Sequence, residues 1–292
     1  MADALDPQVV ALLERLRAAG APHVEEQTPA ELRDRFAGGA AAAFGPVAEV
    51  ASVEDRLAGG VPVRVYSPGG RDAALVYCHG GGWVTGSIDT HDGIARALAA
   101  RSGCTVVSVG YRLAPEHPFP AAVDDARAAT QWALDELGTV AVGGDSSGAT
   151  LAAVVARELP VALQLLICPA LDSRLETESY EFFAAGYNVT REAMRWYWAQ
   201  YLGDADGSDP DASPLRARDL AGAAPAIVVV AGCDPLRDDG LAYAERLESA
   251  GVPVSLRRYD GMIHNFVRFA ATLDRAAPAL DELAAELAER LS

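Results

Sequence analysis

Five almost continuously apolar runs along the chain predict buried β-strands. A strand with one face in water alternates apolar and polar positions, and these runs do not. Helical patterns near residues 90–102, 120–137 and 147–159 separate the middle runs from one another. Buried strands alternating with helices are typical of a mostly parallel α/β sheet that is covered on both sides. The five runs are A-L-V-Y-C-H, C-T-V-V-S-V, V-A-V-G, V-A-L-Q-L-L-I and A-I-V-V-V-A.

Two predicted helices and a hairpin precede the first of these runs. Asp6 can cap the first helix, Pro7 suits its first turn, and Gly20 can end it. A second helix is predicted over about residues 29–37, before the small-residue run G-G-A-A-A-A-F-G. Two strand-like segments then flank L-A-G-G, which predicts a hairpin connection.

One long segment, about residues 172–224, interrupts the alternation with a helical and loop pattern. Eight of the chain's twenty aromatic residues lie between Tyr180 and Tyr201. These aromatic side chains can form a small hydrophobic core of the segment itself, or line an apolar pocket above the sheet. For the segment as a whole, the pattern favours a lid.

Composition narrows the classes of protein. The 292 residues suit one large α/β domain with a smaller lid. A net charge of −17 argues against nucleic acid and anionic membranes as partners, because both attract basic surfaces. The longest apolar run is too short to span a bilayer. The acidic start does not resemble a signal peptide, and the four cysteines are widely spaced, so we expect a cytoplasmic protein with reduced thiols.

The stretch G-D-S-S-G at 144–148 is a candidate nucleophile turn. A strand-like run precedes it and a helical pattern follows, which suits the sharp turn that lifts a serine hydroxyl above a sheet. A helix N-terminus also supplies partial positive charge where an oxyanion would form. Taken alone, the same stretch fits an ordinary strand-to-helix turn with Ser146 at the start of the helix.

A second glycine-rich stretch, H-G-G-G-W at 79–83, directly follows a predicted strand. Consecutive glycines let backbone N–H groups approach a reacting carbonyl oxygen. A flexible loop or a phosphate-binding turn are the alternatives. The spacing G-x-G-x-x-G of a dinucleotide site is absent, because Trp83 and Val84 follow the third glycine.

Asp234 and His264 each follow a later strand. In open parallel sheets, ligand chemistry gathers at the carboxyl ends of the strands. The chain order serine, aspartate, histidine is the order of an α/β-hydrolase. The histidines show no metal-ligand spacing, so we predict neither a metal nor an organic cofactor. The alternative acids and base are Asp238, Asp239 and His117.

With these residues in view, the chain resembles the hormone-sensitive-lipase-like branch of the α/β-hydrolases, the bacterial family IV carboxylesterases. The resemblance covers residues from about 40 to the end. It implies a mostly parallel eight-stranded sheet, with a body of residues 46–171 and 216–292. Residues 1–45 and the insertion 172–215 would together form a helical cap. The matching motifs are H-G-G-G-W at 79–83, Y-R-L-A-P-E-H-P-F-P-A at 111–121, G-D-S-S-G at 144–148, D-P-L-R-D-D at 234–239 and H-N-F at 264–266.

The resemblance also implies roles for individual residues. Ser146 would be the nucleophile, His264 the general base and then acid, and Asp234 the residue that orients the histidine. An oxyanion hole would use the backbone N–H groups of Gly81, Gly82 and Ser147. Two positions depart from the family pattern: Ser147 replaces the usual alanine, and Asn265 replaces a frequent glycine. The expected substrate contacts are Trp83, Tyr187, Trp198 and Asn265.

These expectations together predict a serine carboxylesterase that acts on short- to medium-chain or small-molecule esters. The same site could instead cleave a small amide, formamide or lactone. A ligand-binding receptor on this fold is disfavoured, because that reading predicts a lost histidine and His264 is present. The expected partner is a small ester, and relatives in the family often form homodimers.

Overall fold

An eight-stranded sheet forms the centre of the protein in the computed structural model, which describes residues 4–70 and 72–292. The strand order is β1-β2-β4-β3-β5-β6-β7-β8. Strand β2 runs antiparallel to β1 and β4, and the other neighbouring strands are parallel. The prediction of a mostly parallel sheet is therefore confirmed. The strands are β1 Ser52–Ala58, β2 Val61–Ser67, β3 Ala73–Cys78, β4 Thr105–Val109, β5 Thr139–Asp145, β6 Leu163–Ile167, β7 Ala226–Cys233 and β8 Val254–Ile263.

Helices cover both faces of this sheet. One hydrophobic core includes residues of α4, α5 and α8, and the other includes residues of α1, α3 and α9. Along β3, Val76 and Cys78 belong to the first core, while Leu75 and Tyr77 belong to the second. Because the residues of the central strands face a helix layer on one side or the other, their runs are apolar throughout. The helices are α1 Pro7–Ala18, α2 Pro29–Phe44, α3 Asp92–Ser102, α4 Ala121–Glu136, α5 Ser147–Glu158, α6 Glu178–Phe182, α7 Arg191–Leu202, α8 Arg237–Ser249 and α9 Ala276–Arg290.

The second helix is longer than its sequence pattern indicates. Its predicted end near residue 37 is wrong, since α2 continues to Phe44. Gly38 and Gly39 lie in open space, and the alanines after them are strong helix formers, so the glycines do not break the helix. Gly45, with φ of 83°, follows its last turn.

Helices α2 and α7 are both anchored to loops at the carboxyl edge of the sheet. Arg33 of α2 donates to the carbonyl oxygen of Val84 at 2.8 Å and forms an ion pair with Glu116 at 2.6 Å. Next to α7, the backbone N–H of Phe119 donates to the Tyr201 carbonyl at 2.7 Å. These contacts hold the two helical segments over the edge where the candidate residues gather. Within residues 4–70 and 72–292, no helix is both long and apolar enough to cross a membrane.

Candidate active site

The turn between β5 and α5 holds Ser146 in a strained conformation. Its φ of 53° and ψ of −120° are rare for any residue other than glycine. A Cβ added at Gly144 or at Gly148 would overlap the carbonyl oxygen of Cys78. Glycine is therefore required on both sides of the turn, which accounts for the spacing seen in the sequence.

Three side chains from separate loops meet in a chain of hydrogen bonds. The Nε2 of His264 lies 2.9 Å from the Oγ of Ser146, and its Nδ1 lies 2.8 Å from the Oδ2 of Asp234. The other carboxylate oxygen of Asp234 accepts from the backbone N–H of Leu236 at 2.9 Å. Ser146 is 6% exposed to solvent and His264 is 4% exposed, while Asp234 is fully buried. The structure thus brings the three predicted residues together in a nearly dry site.

The loop after β3 approaches the same place through its glycines. Gly81 has φ of 130° and Gly82 has φ of 61°. A Cβ at Gly81 would overlap the backbone of Thr85, and one at Gly82 would overlap the ring of Tyr197 on α7. The loop therefore fits tightly between its own continuation and α7. Ser147 opens α5, where the first N–H groups of a helix have no partner within the helix.

The buried side chain of Asp145 forms hydrogen bonds that join the three loops of the site. Its Oδ1 accepts from the Tyr77 hydroxyl at 2.7 Å and from the Gly80 N–H at 3.0 Å. Its Oδ2 accepts from the Nδ2 of Asn265 at 2.7 Å and lies 3.4 Å from the Nε2 of His91. Burial alone would raise the pKa of Asp145, but the charge of His91 and the hydrogen bonds from His91 and Tyr77 lower it below the usual range. The residue is therefore a buried carboxylate that links the serine turn, the glycine loop and the histidine loop.

His79, the first residue of the glycine loop, is held neutral. Burial and the charge of His91 lower the pKa of His79 to about 3. Its ring stacks on Tyr111 at 4.3 Å, and the Tyr111 hydroxyl donates to the His79 carbonyl at 2.7 Å. His79 accordingly stabilises the base of the loop rather than exchanging protons.

The four predicted substrate contacts occupy different surroundings. Trp83 stacks on Tyr201 at 4.2 Å between ring centroids and meets Trp198 at 4.3 Å, and all three rings are buried. This cluster fastens α7 to the glycine loop. Tyr187 is half-buried against Phe183. The buried amide of Asn265 donates to Asp145, as described above.

The alternative acids and base have other partners. The Oδ2 of Asp239 accepts from the Leu171 N–H at 3.1 Å, and burial raises the pKa of Asp239 well above its usual range. Asp238 accepts from the backbone N–H of Ser179 at 2.8 Å. His117 is exposed. In the part of the chain that the structure describes, the ring of His264 bonds only to Ser146 and Asp234.

A thiol that sequence reasoning assigned only to the core lies beside this site. Cys168 follows β6 with φ of 46° and is buried. Its Sγ and the ligand atoms of Asp234 and His264 lie within 4.8 Å of one another, and this is the only such group of potential metal ligands in residues 4–70 and 72–292. Because the aspartate and the histidine already bond to each other, an ion there would have to replace the proton between them.

The sheet order and the serine turn at its carboxyl edge define the class of protein as an α/β-hydrolase. A family model described as an alpha/beta hydrolase fold matches residues 75–268, and the chain belongs to this family. The similar proteins described next confirm the predicted resemblance to the hormone-sensitive-lipase-like branch.

Two relatives and one solved structure illustrate the similarity. The carboxylic ester hydrolase LipN of Mycobacterium tuberculosis (strain ATCC 25618 / H37Rv) is 43% identical over 258 residues, covering 80% of this chain and 68% of that protein. The ethyl acetate hydrolase of Pseudomonas putida is 40% identical, covering 75% of this chain and 76% of that protein. The ester hydrolase EH1AB1 from the metagenome of Lake Arreo superposes with a TM-score of 0.93 at 40% identity, covering 98% of both chains.

Proposed function

We propose that this protein is a serine carboxylesterase that hydrolyses small esters through an acyl-enzyme on Ser146. The observation that carries the proposal is the unbroken hydrogen-bond chain from the serine hydroxyl through His264 to Asp234. A serine hydroxyl becomes a useful nucleophile only when an oriented base can accept its proton, and this chain supplies one. The ester-hydrolase names of the similar proteins support the same reaction.

The first half of the reaction forms the acyl-enzyme. His264 takes the proton from Ser146 as the serine oxygen bonds to the ester carbonyl carbon, and the carbonyl oxygen becomes an oxyanion. In this proposal the N–H groups of Gly81, Gly82 and Ser147 donate to that oxyanion. Asp234 accepts from the Nδ1–H of His264 and stabilises the imidazolium. The tetrahedral intermediate then collapses to the acyl-enzyme, the bond from its carbon to the alkoxy oxygen breaks, and His264 gives its proton to that oxygen as the alcohol leaves.

The second half returns the enzyme to its starting state. Water replaces the alcohol, gives one proton to His264 and attacks the acyl carbon. Collapse of the second tetrahedral intermediate breaks its bond to Ser146, and His264 returns the proton to the serine oxygen. One ester and one water thus give one acid and one alcohol, and no external cofactor takes part.

The surroundings of the site support a small substrate. Aromatic residues of the cap crowd the glycine loop, with Tyr197 against Gly82 and the cluster of Trp83, Trp198 and Tyr201 behind it. We therefore propose short- to medium-chain acyl groups. We also propose a cytoplasmic location, which the four free buried cysteines support, and a homodimer, which rests on the family resemblance.

A p-nitrophenyl ester series from acetyl to dodecanoyl tests the proposal. Ser146→Ala should lower kcat by roughly 10⁴- to 10⁶-fold with an unchanged circular dichroism spectrum. His264→Gln should give a similar loss, and His117→Gln, at an exposed histidine, is the matched control. Near-normal hydrolysis by Ser146→Ala would contradict the mechanism. A preference that peaks beyond about ten acyl carbons would contradict the small-ester assignment, which rests on the aromatic rings that crowd the glycine loop.

A further inference from the structure

Arg268 differs from most arginines of the protein in having no acidic partner. The chain has 41 acidic residues and 24 basic ones, and most arginines within residues 4–70 and 72–292 form ion pairs with carboxylates. In the same ranges, the Arg268 side chain makes neither an ion pair nor a hydrogen bond. In so acidic a protein, an unpaired guanidinium near the candidate active site requires an explanation.

The position of Arg268 places its charge between the catalytic loops and the cap. It lies in the short turn Phe266–Phe269, four residues after His264, and its backbone N–H donates to the Asn265 carbonyl at 3.0 Å. The Cζ of its guanidinium lies 3.9 Å from the ring centroid of Phe36 on α2. Its charge also reaches Tyr197 on α7, where it opposes the burial that raises the pKa of that tyrosine.

The guanidinium is partly desolvated and still reaches solvent. Burial lowers the pKa of Arg268, yet arginine remains protonated in proteins because its pKa starts above about 12. The side chain is half-buried rather than closed off. Stacking on Phe36 fixes the guanidinium plane but uses none of its five N–H donors.

The carboxylate whose charge acts on the pKa of Arg268 does not satisfy these donors. Asp145 exerts its charge on the pKa of Arg268. Its oxygens, however, already accept hydrogen bonds from Tyr77, Gly80 and Asn265. Arg268 therefore keeps its N–H donors unpaired at a half-buried position, where a hydrogen bond to an anion is stronger than in water.

We propose that Arg268 is a specificity-determining residue that binds a carboxylate carried by the ester substrate, an inference that rests on the esterase function proposed above. The planar guanidinium presents paired N–H groups that match a carboxylate in two parallel hydrogen bonds. Such an anchor on a non-reacting part of the substrate holds the ester in a fixed orientation beside Ser146. The carboxylate can belong to the acyl group or to the alcohol group.

Two matched substrate pairs test the proposal and separate these sources. Methyl hydrogen succinate and methyl succinamate differ by a carboxylate against an amide on the acyl side. The pair 3-acetoxypropanoate and 3-acetoxypropanamide makes the same comparison on the alcohol side. The kcat/KM of each compound is measured with the wild type, Arg268→Gln and Arg268→Lys. Arg195→Gln is the matched control, since Arg195 is exposed on α7 and paired with Glu192.

The wild type should prefer the anionic member of at least one pair. Arg268→Gln should reduce that preference by about 10- to 100-fold, the range expected for a charged hydrogen bond. Arg268→Lys should retain part of it, because a point charge remains without the planar fork. The control should change the preference by less than about twofold, since long-range surface charge is screened.

Two results would overturn the proposal. The first is a wild type that favours the neutral member of both pairs, a result that does not depend on the folding of the variants. The second is an unchanged preference in Arg268→Gln, and if the kcat/KM of both members falls equally, Arg268 is only a counter-charge for Asp145. Failure of the proposed esterase function gives a different result. In that case the wild type and Ser146→Ala would hydrolyse the neutral esters equally, whatever the effect of Arg268.

Discussion

The hydrogen bond between Asn265 and Asp145 is the most informative single contact to remove. Asn265 directly follows His264, and its Nδ2 donates to the buried Asp145 carboxylate at 2.7 Å. Asn265→Gly deletes this bond and leaves the side chains of Ser146, His264 and Asp234 unchanged. If the bond holds the histidine loop against the serine turn, its loss should reduce both stability and turnover.

The magnitude follows from two opposing contributions. A hydrogen bond to a charged group contributes about 1.5–3 kcal/mol. Asn265 has φ of 52° and ψ of 37°, and a glycine in this left-handed conformation avoids a cost of about 1 kcal/mol. Asn265→Gly should therefore lower the free energy of unfolding by about 0.5–2 kcal/mol. Asn265→Ala should lower it by about 1 kcal/mol more, because alanine loses the bond and keeps the unfavourable conformation.

Urea unfolding and steady-state kinetics on one small ester measure the two effects. A looser His264 should lower kcat by about 5- to 30-fold, the equivalent of 1–2 kcal/mol of transition-state stabilisation, with a smaller change in KM. The order wild type, glycine variant, alanine variant should hold for stability. A glycine variant as stable and as active as the wild type would refute the reasoning, since the bond would then position nothing.

Two further predictions concern the glycine loop and a second buried carboxyl. Gly82→Ala should lower kcat/KM by about 100-fold, because its Cβ would push the loop away from Tyr197 and displace a proposed oxyanion donor. Gly222→Ala is the control, since Gly222 also has a positive φ but lies in open space. Equal kinetics in the two variants would contradict the predicted clash. Burial raises the pKa of Asp239. At pH values above the ordinary aspartate pKa, the folded protein therefore binds more protons than the unfolded chain. The free energy of unfolding then falls as the pH rises. Asp239→Asn can still accept from the Leu171 N–H, and it should remove this decline in the free energy of unfolding, which is up to about 1.4 kcal/mol per pH unit. The measurement is the melting temperature of both proteins from pH 5 to 8. Melting temperatures that change in parallel would contradict the prediction.

The central part of the sheet could be predicted because its strands, β3 to β7, are buried on both faces. All eight residues of β7, for example, are buried, so its sequence carries no polar alternation. The end of α2 was mispredicted because Gly38 and Gly39 resemble a helix stop. Their cost is local and small, and the alanines that follow outweigh it. For α2, the local sequence therefore predicted the type of element better than its boundary.

The site shows a similar division. Glycine spacing and chain order pointed to Ser146, Asp234 and His264, because each follows its own strand. The partners of Asp145 come from positions 77, 80, 91 and 265, and only the folded sheet shows which of these side chains meet. The abundance of aromatic residues likewise predicted a lid without distinguishing a ring that lines a pocket from one that packs, as Trp198 does.

Backbone strain is concentrated where the chemistry is proposed to occur. Among residues 4–70 and 72–292, six non-glycine residues have positive φ, and four of them follow strands of the sheet at the site: Trp83, Ser146, Cys168 and Asn265. Conformations of this kind cost about 1–3 kcal/mol each and persist only when their surroundings fix them. Here the fixing contacts are specific: the Trp83 ring is stacked on Tyr201, and the Asn265 amide is bonded to Asp145. The Asp145 carboxylate also accepts hydrogen bonds from Tyr77 and Gly80. Together with the two packed cores, these bonds offset the backbone strain and fix the serine, the histidine and the glycine loop relative to one another.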